Sequence, residues 1–337
     1  MSTALPPSGA AVLRRTALAA VVMGVGWARA APKGVLLRFS HVVAPDTPKG
    51  RMVVHFQSLV QQRSNGRIRV EVHPDSQLWG DDEEIEALRL GAVEMLAPSL
   101  SKFGLAGVPE FEVFDLPFLF DDLAQVRRVT QGRVGRDLLD RLARQQMLGL
   151  GYLDNGFKHM SAQRPLRRVA DFAGLRVRVQ ASQVLSAQMR VLGARPVVLP
   201  FGETERALAQ GVVEAAENPL SNFLTQGLVR WQPHVTLTRH GYLGYAVVSH
   251  PRFWGSLSGA DQDLLSGALS DALVQGNQLA AELDRQALAT LRGMPGVQVH
   301  EPTAAERAAL RAATRPVFDA TQRGLGPALL RAIQATT

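Results

Sequence analysis

From Val35 to Ala97 the chain alternates between strand and helix patterns, and this alternation restricts its fold more than any other feature. Val35 to Val42 (VLLRFSHV) reads as a strand. Thr47 to Asn65 reads as a helix: Pro48 stands in its first turn, Met52, Val53, Phe56, Leu59 and Val60 supply the apolar set, and Gly66 follows its end. Ile68 to His73 alternates with period two, a second strand. Asp81 or Asp82 is expected to cap a helix running to Leu90, with Gly91 ending it, and Val93 to Ala97 is a third short strand. A βαβαβ order predicts an α/β fold with a parallel sheet and right-handed crossovers.

A similar unit lies further along. GLRVRVQAS (from Gly174) reads as a short strand, and LPFGETERALAQGVVEAAENPLSN (from Leu199) as an amphipathic helix followed by a strand. That order brings Arg178 and Asn218 to one edge of a sheet. In open α/β sheets ligands bind at that edge, outside the carboxyl ends of the strands. The stretch from Gly80 also echoes the one from Phe201. Both have an acidic start, an apolar stripe, a terminating glycine (Gly91, Gly211) and Val-Glu two residues later. Ser99 and Asn218 then take comparable strand-end positions in two separate sheets. The echo fits either two similar lobes facing across a cleft or the ordinary self-similarity of βαβ units.

About 300 residues beyond the N-terminal segment suggest two domains, and the 46% hydrophobic content supports substantial cores. Val113 to Phe120 (VFDLPFLF) is apolar enough to be a buried segment crossing between lobes. From Ser258 onward more than thirty residues carry Ala and Leu at helical spacing, long enough to lie across both lobes, with Gly267 and Gly276 as possible breaks.

Residues 1–30 read as an export signal. Arg14 and Arg15 form a positive region, Thr16 to Ala28 is uncharged and mostly apolar, and Ala28-Arg29-Ala30 is a small-x-small cleavage site. The arginine pair also suits a twin-arginine signal, so the export route stays open. The segment holds three arginines and no acid, so +4 of the chain's +7 remains after cleavage. Charges are interspersed and the clear like-sign run, Asp81 to Glu84, is acidic, which argues against nucleic acid. A mild positive field suits a small anion. With no cysteine, disulfides and thiolate metal sites are excluded. His234, His240 and His250 miss metal-helix spacing, and no HExxH, GxSxG, P-loop or Rossmann glycine fingerprint occurs. No catalytic residue, metal or cofactor is expected.

The binding candidates are basic and amide side chains. Arg176 and Arg178 share one face of their strand, and alternation alone cannot separate a ligand arginine from a solvated one. Asn218 precedes Pro219, which suits either a turn or an amide clamp on a ligand oxygen. Lys158 follows Asn155-Gly156, a turn signal between strand-like runs. His41 and Lys49, at a strand end and a helix start, suit an anion pocket.

Taken in order, HVVAPDTPKG, SQLWGDDEEIEAL, APSLSKF, FDLPFLFDD, GYLDNGFKHMSA, GLRVRV and AENPLSN resemble the solute-binding proteins of TRAP transporters, in their C4-dicarboxylate-binding, DctP-like branch. The resemblance covers roughly residues 35 to 330. It implies a two-lobe periplasmic binding protein with hinge-linked α/β domains and a long helix spanning both. The expected lobes are 34–153 plus about 244–283, and 154–243 plus about 284–332. It implies a carboxylate solute, most naturally a C4-dicarboxylate such as succinate, malate or fumarate, and delivery to the membrane subunits of a permease by a monomeric carrier. A monocarboxylate solute or a periplasmic sensor role is the alternative. The motif matches place the ligand arginine at Arg178 rather than Arg176 and the amide at Asn218. They place a second basic residue at Lys158, where many members have arginine. Lys49, His41 and Ser99 complete the expected site. Gln180 stands where many members have proline, and Ala216 where glutamine is common; both adjoin expected ligand residues.

Overall fold

A computed structural model describes residues 34–336; the expected export signal lies outside the described residues. Nine strands form one mixed sheet: β1 Val35–Ser40, β2 Ile68–His73, β3 Met95–Leu96, β4 Leu148–Ala162, β5 Arg176–Val179, β6 Arg195–Val198, β7 Ala215–Asn218, β8 His234–Ser249 and β9 Gln298–His300. Their order is β2-β1-β3-β8-β4-β7-β5-β6, with β9 beside β8. Strands β1, β2 and β3 run parallel, as do β5, β6 and β7. Between these two parallel sets lies a long antiparallel ribbon of β4 and β8.

The expectation of two separate sheets is corrected by this ribbon. β3 bonds to β8 and β7 bonds to β4, so the two βαβ units merge into one continuous sheet. The echo between Gly80 and Phe201 is nonetheless reflected in the topology, because each stretch leads to the short strand that adjoins the ribbon.

Asn155-Gly156 does not turn the chain. Both residues lie inside β4, where the pairing register shifts between Asp154 and Gly156, and Gly156 has φ +148°. A bulge bends a strand and re-aims its side chains, so the glycine serves a kink in a long ribbon. At that bulge the Asp154 N–H donates to Asn277 Oδ1 at 2.7 Å.

Asn277 belongs to the helix Gly259–Gly293, which starts at the Ser258 cap and passes unbroken through Gly267 and Gly276. Leu265, Leu269 and Leu273 pack with Leu37, Phe56 and Leu153, while Ala287 and Leu291 pack with Leu208, Phe223 and Leu237. One helix therefore braces both parallel sets. The apolar segment Val113 to Phe120 also crosses between cores: Phe114 packs with Tyr152 and Tyr242, whereas Phe118 packs with Met160 and Leu185. The terminal helix Pro327–Gln334 returns Leu330 and Ile333 to the core of Phe114.

The helix expected after Gly80 spans Glu84–Arg89, and neither Asp81 nor Asp82 is its cap. Asp81 instead pairs with Lys102 and accepts from the Phe201 N–H. A buried ammonium outcompetes a helix terminus for a carboxylate, because an unpaired buried charge is far more costly than a missing cap. Among the described residues no helix is long and apolar enough to cross a membrane, and no group of three or more ligating side chains is placed to hold a metal.

Candidate functional site

A cavity of about 20 Å³ lies between the two parallel sets, bounded by residues from both. Lys49, Ser99 and Asp81 reach it from the side of β1 to β3, and Arg178, Gln180, Asn218 and Asn222 from the side of β5 to β7. Such a volume holds about one water molecule.

Lys49 is placed by the first turn of the helix Pro48–Arg63. Thr47 Oγ1 accepts from the Gly50 N–H at 3.1 Å, and Pro48 supplies a fixed φ at the start. Lys49 is fully buried. Its Nζ donates to Ala97 O at 3.0 Å and sits 3.9 Å from the centre of the Tyr245 ring. Burial pulls this ammonium down to about 8; Glu84 opposes the shift and Lys102 adds to it.

Arg176 and Arg178 share a strand face but not an environment. Arg176 is exposed and pairs with Glu214 at 3.0 Å. Arg178, two residues nearer the carboxyl end of β5, is buried. Its Nε and Nη2 donate to Leu199 O at 3.0 and 2.8 Å, and Asp81 Oδ2 lies 3.9 Å from Nη2. A guanidinium has five N–H donors, so Nη1 remains for a carboxylate.

Asn218 ends β7 opposite His159 of β4, and its Nδ2 is buried with no protein partner. Pro219 then opens the short helix Leu220–Thr225. Asp284 of the long helix fixes that opening by accepting from the Leu220 N–H at 2.9 Å. One turn on, Asn222 lines the same cavity with Oδ1 unpartnered. Ser99 pairs with Tyr245 as an antiparallel bridge, and its Oγ accepts from Gln180 Nε2 at 3.0 Å.

Two expected residues stand apart from the cavity wall. Lys158 lies in the interior with Nζ 2.9 Å from Glu217 Oε1, and Glu217 Oε2 is 2.8 Å from His240 Nε2. Burial alone would raise the Glu217 carboxyl; the Lys158 charge and the His240 bond outweigh it and hold the group down to about 2. The Lys158 charge is therefore matched inside the protein. His41 is buried, and burial, aided by the Lys49 charge and opposed by a backbone bond at Val43, lowers it to about 3. It is neutral at any pH near 7 and supplies no cationic anchor.

The chain matches, over residues 39–324, the family described as bacterial extracellular solute-binding protein, family 7. It belongs to that family. It is 46% identical over 303 residues to the C4-dicarboxylate-binding periplasmic protein DctP of Rhodobacter capsulatus, a match covering 90% of this chain and 91% of that one. A TRAP periplasmic solute-binding protein from Shewanella oneidensis, solved with bound succinate, superposes with TM-score 0.88 and 40% identity over 90% of this chain and 99% of its own. Another from Pseudomonas aeruginosa PAO1, solved with bound L-malate, gives 0.82 and 38% over 85% and 99%. The family's two-lobe fold, with a long helix joining the lobes, is the architecture described above.

In this solute-binding protein of DctP type, several cavity residues escaped the sequence reading. Asp81 looked like a helix cap, and Asn222 lay unremarked at the end of AENPLSN. Its spacing of four from Asn218, across a proline that starts a helix, was a usable signal. Nothing local marks Tyr245 or Phe201, which reach the site from distant segments.

Proposed function

We propose that this protein captures a C4-dicarboxylate, of the size of succinate, malate or fumarate, in the periplasm and hands it to the membrane subunits of a TRAP permease. The observation that carries this reading is that Lys49 and Arg178 line one cavity from its opposite sides. Asp81 is the acidic residue on that wall; Lys102 pairs with it and with Glu84, and Arg178 lies 3.9 Å from it. Lys49 and Arg178 are the cations that face the two carboxylates, with Asn218 Nδ2 as a further donor. Arg178 takes one carboxylate as a fork and Lys49 the other as a point charge. Lys158 acts at one remove, holding Glu217 beside Asn218, while neutral His41 lies close enough to Lys49 to feel its charge. The protein works as a monomeric carrier and not as an enzyme, after removal of residues 1–30.

The cavity as closed is far smaller than the several hundred Å³ of a typical ligand pocket, so loading requires the lobes to separate. We place them at 34–153 plus about 244–283 and at 154–243 plus about 284–332. Those cuts fall at the β4 bulge and its partner Gly244 in β8. Closure over the solute is then a population shift between open and closed forms.

The test is thermal melting of the mature protein against a panel of mono- and dicarboxylates. A ligand at 100 times its dissociation constant adds about 2.7 kcal/mol, readily seen as a raised Tm. Stabilisation by C4-dicarboxylates supports the two-cation site. Stabilisation by monocarboxylates alone would remove Lys49 as a carboxylate anchor and leave Arg178.

A further inference from the structure

Cations recognise carboxylates, but two buried oxygens at this cavity need something else. Asn222 is 2% exposed and hydrogen-bonds Tyr245, yet its Oδ1 has no partner. Gln180 spends its Nε2 on Ser99 Oγ, and its Oε1 is buried and also unpartnered. Both residues line the cavity together with Lys49 and Arg178. An amide oxygen only accepts, so a carboxylate cannot satisfy it and would be repelled. A methylene leaves it desolvated and unpaired, and buried polar groups left so are costly. A hydrogen-bond donor on the carbon chain between the two carboxylates would satisfy both oxygens.

We propose that the site selects a hydroxylated C4-dicarboxylate over its unsubstituted counterpart, with Gln180 and Asn222 as the residues that read the hydroxyl. This rests on the dicarboxylate reading above and adds the substituent. A hydroxyl fits better than an ammonium. An ammonium would put a third cation beside Lys49 and Arg178, whose charges the two carboxylates of the ligand already match, and the one carboxylate on the cavity wall, Asp81, is shared between Lys102 and Arg178. A ketone at the same carbon offers only an acceptor and would face the amide oxygens without a hydrogen between them. The expected order is thus hydroxyl first, then methylene, with ketone and ammonium no better than methylene. Gln180 also ties the two sides of the cleft through Ser99, so a hydroxyl bound there sits on the closure contact itself.

The experiment is calorimetric titration of the mature protein with malate, succinate, oxaloacetate and aspartate, repeated on Gln180→Leu and Asn222→Leu. Malate is expected to bind about tenfold or more tightly than succinate, because a site built to bond a hydroxyl rejects analogues lacking it. That ratio should shrink in each variant, with malate losing more affinity than succinate. Equal binding of malate and succinate by the native protein would overturn the inference while leaving the dicarboxylate reading intact. So would an oxaloacetate or aspartate affinity matching that of malate, or a ratio unchanged in both variants. If none of the four acids binds to protein that melts cooperatively, the dicarboxylate reading fails and this inference with it. Should a variant not fold, the four-ligand series on the native protein decides alone.

Discussion

Lys158 Nζ and Glu217 Oε1 lie 2.9 Å apart with both side chains shut away from solvent, one residue from the cavity-lining Asn218. A lysine in a solute-binding cleft invites assignment to the solute, but this one is matched by its own protein. Lys158→Met is expected to act on stability first. Removing one partner of a buried pair strands the other charge and costs about 3–5 kcal/mol. Denaturant unfolding should show that loss, and Lys158→Met with Glu217→Gln should recover most of it. A stable Lys158→Met protein that no longer binds dicarboxylate would return Lys158 to the ligand.

The same pair predicts an acid response. Glu217 titrates near 2 in the folded protein against an ordinary 4.5. A depressed carboxylate favours the folded state above its unfolded pKa and stops doing so as pH falls. The contribution, about 3 kcal/mol from the size of the shift, is present above pH 4.5 and fades towards pH 2. Melting curves between pH 6 and 2 should flatten in this window for Glu217→Gln relative to the native protein. Parallel curves would mean other carboxylates govern acid unfolding.

Lys49 gives a shift of opposite consequence at the alkaline end. Its ammonium is lowered to about 8 by burial. A lysine lowered in the fold penalises the folded state while charged, and that penalty lifts as pH rises from about 8 towards 10.5. Ligand binding runs the other way. A carboxylate on Nζ favours the charged form, so binding takes up a proton above pH 8. Affinity should then fall with pH, by up to about tenfold per unit. Calorimetry at pH 9 in buffers of different ionisation enthalpy should reveal the proton, and Lys49→Met should lose both the proton uptake and the slope. A flat profile in the native protein would place the second carboxylate elsewhere.

Arg176 and Arg178 test the strand-face ambiguity directly. Arg178→Ala should lower dicarboxylate affinity by about 2–5 kcal/mol, since it removes one half of a desolvated charge pair. Arg176→Ala removes an exposed pair with Glu214 and should change affinity little and stability by under about 1 kcal/mol. Titration of both variants with one dicarboxylate reverses the assignment if Arg176 proves the sensitive position.

How far these features were readable depends on how local their causes are. The strands around Leu37 and Val70 and the helix of Phe56 follow from patterns within a dozen residues, and they stand close to where those patterns put them. Arg178 and Asn218 reach one cavity because βαβ topology brings strand ends together. Asp81 misled because its partners, Lys102 and Phe201, lie 21 and 120 residues away and their charge and N–H outweigh a helix terminus. Asn155-Gly156 misled for a related reason: a dipeptide that supports a hairpin also supports a bulge, and only the partner strand β8 decides between them. Glu217 could not be matched to Lys158 from sequence, because β4 and β7 meet only through the completed sheet.

The glycines of the long helix predict opposite signs for one substitution. Alanine in a helix interior is favoured over glycine by about 1 kcal/mol. At Gly267 an added Cβ meets only Arg63 Nη1, at 3.6 Å, so Gly267→Ala should raise stability by roughly that amount. At Gly276 the same atom would stand 2.8 Å from Leu153 Cδ1 and from Met52 Cγ. Met52 and Leu153 belong to the core that the helix covers, and overpacking there costs about 1–3 kcal/mol. Gly276→Ala should therefore lower Tm where Gly267→Ala raises it. Because Gly276 adjoins Asn277, which holds the β4 bulge through the Asp154 N–H, the strain is delivered to the ribbon where we place the hinge. Gly276→Ala should accordingly weaken dicarboxylate affinity as well as stability, with no ligand contact removed. Scattering with and without saturating dicarboxylate provides the check: compaction on binding that is intact in Gly276→Ala would show that the bulge does not govern closure.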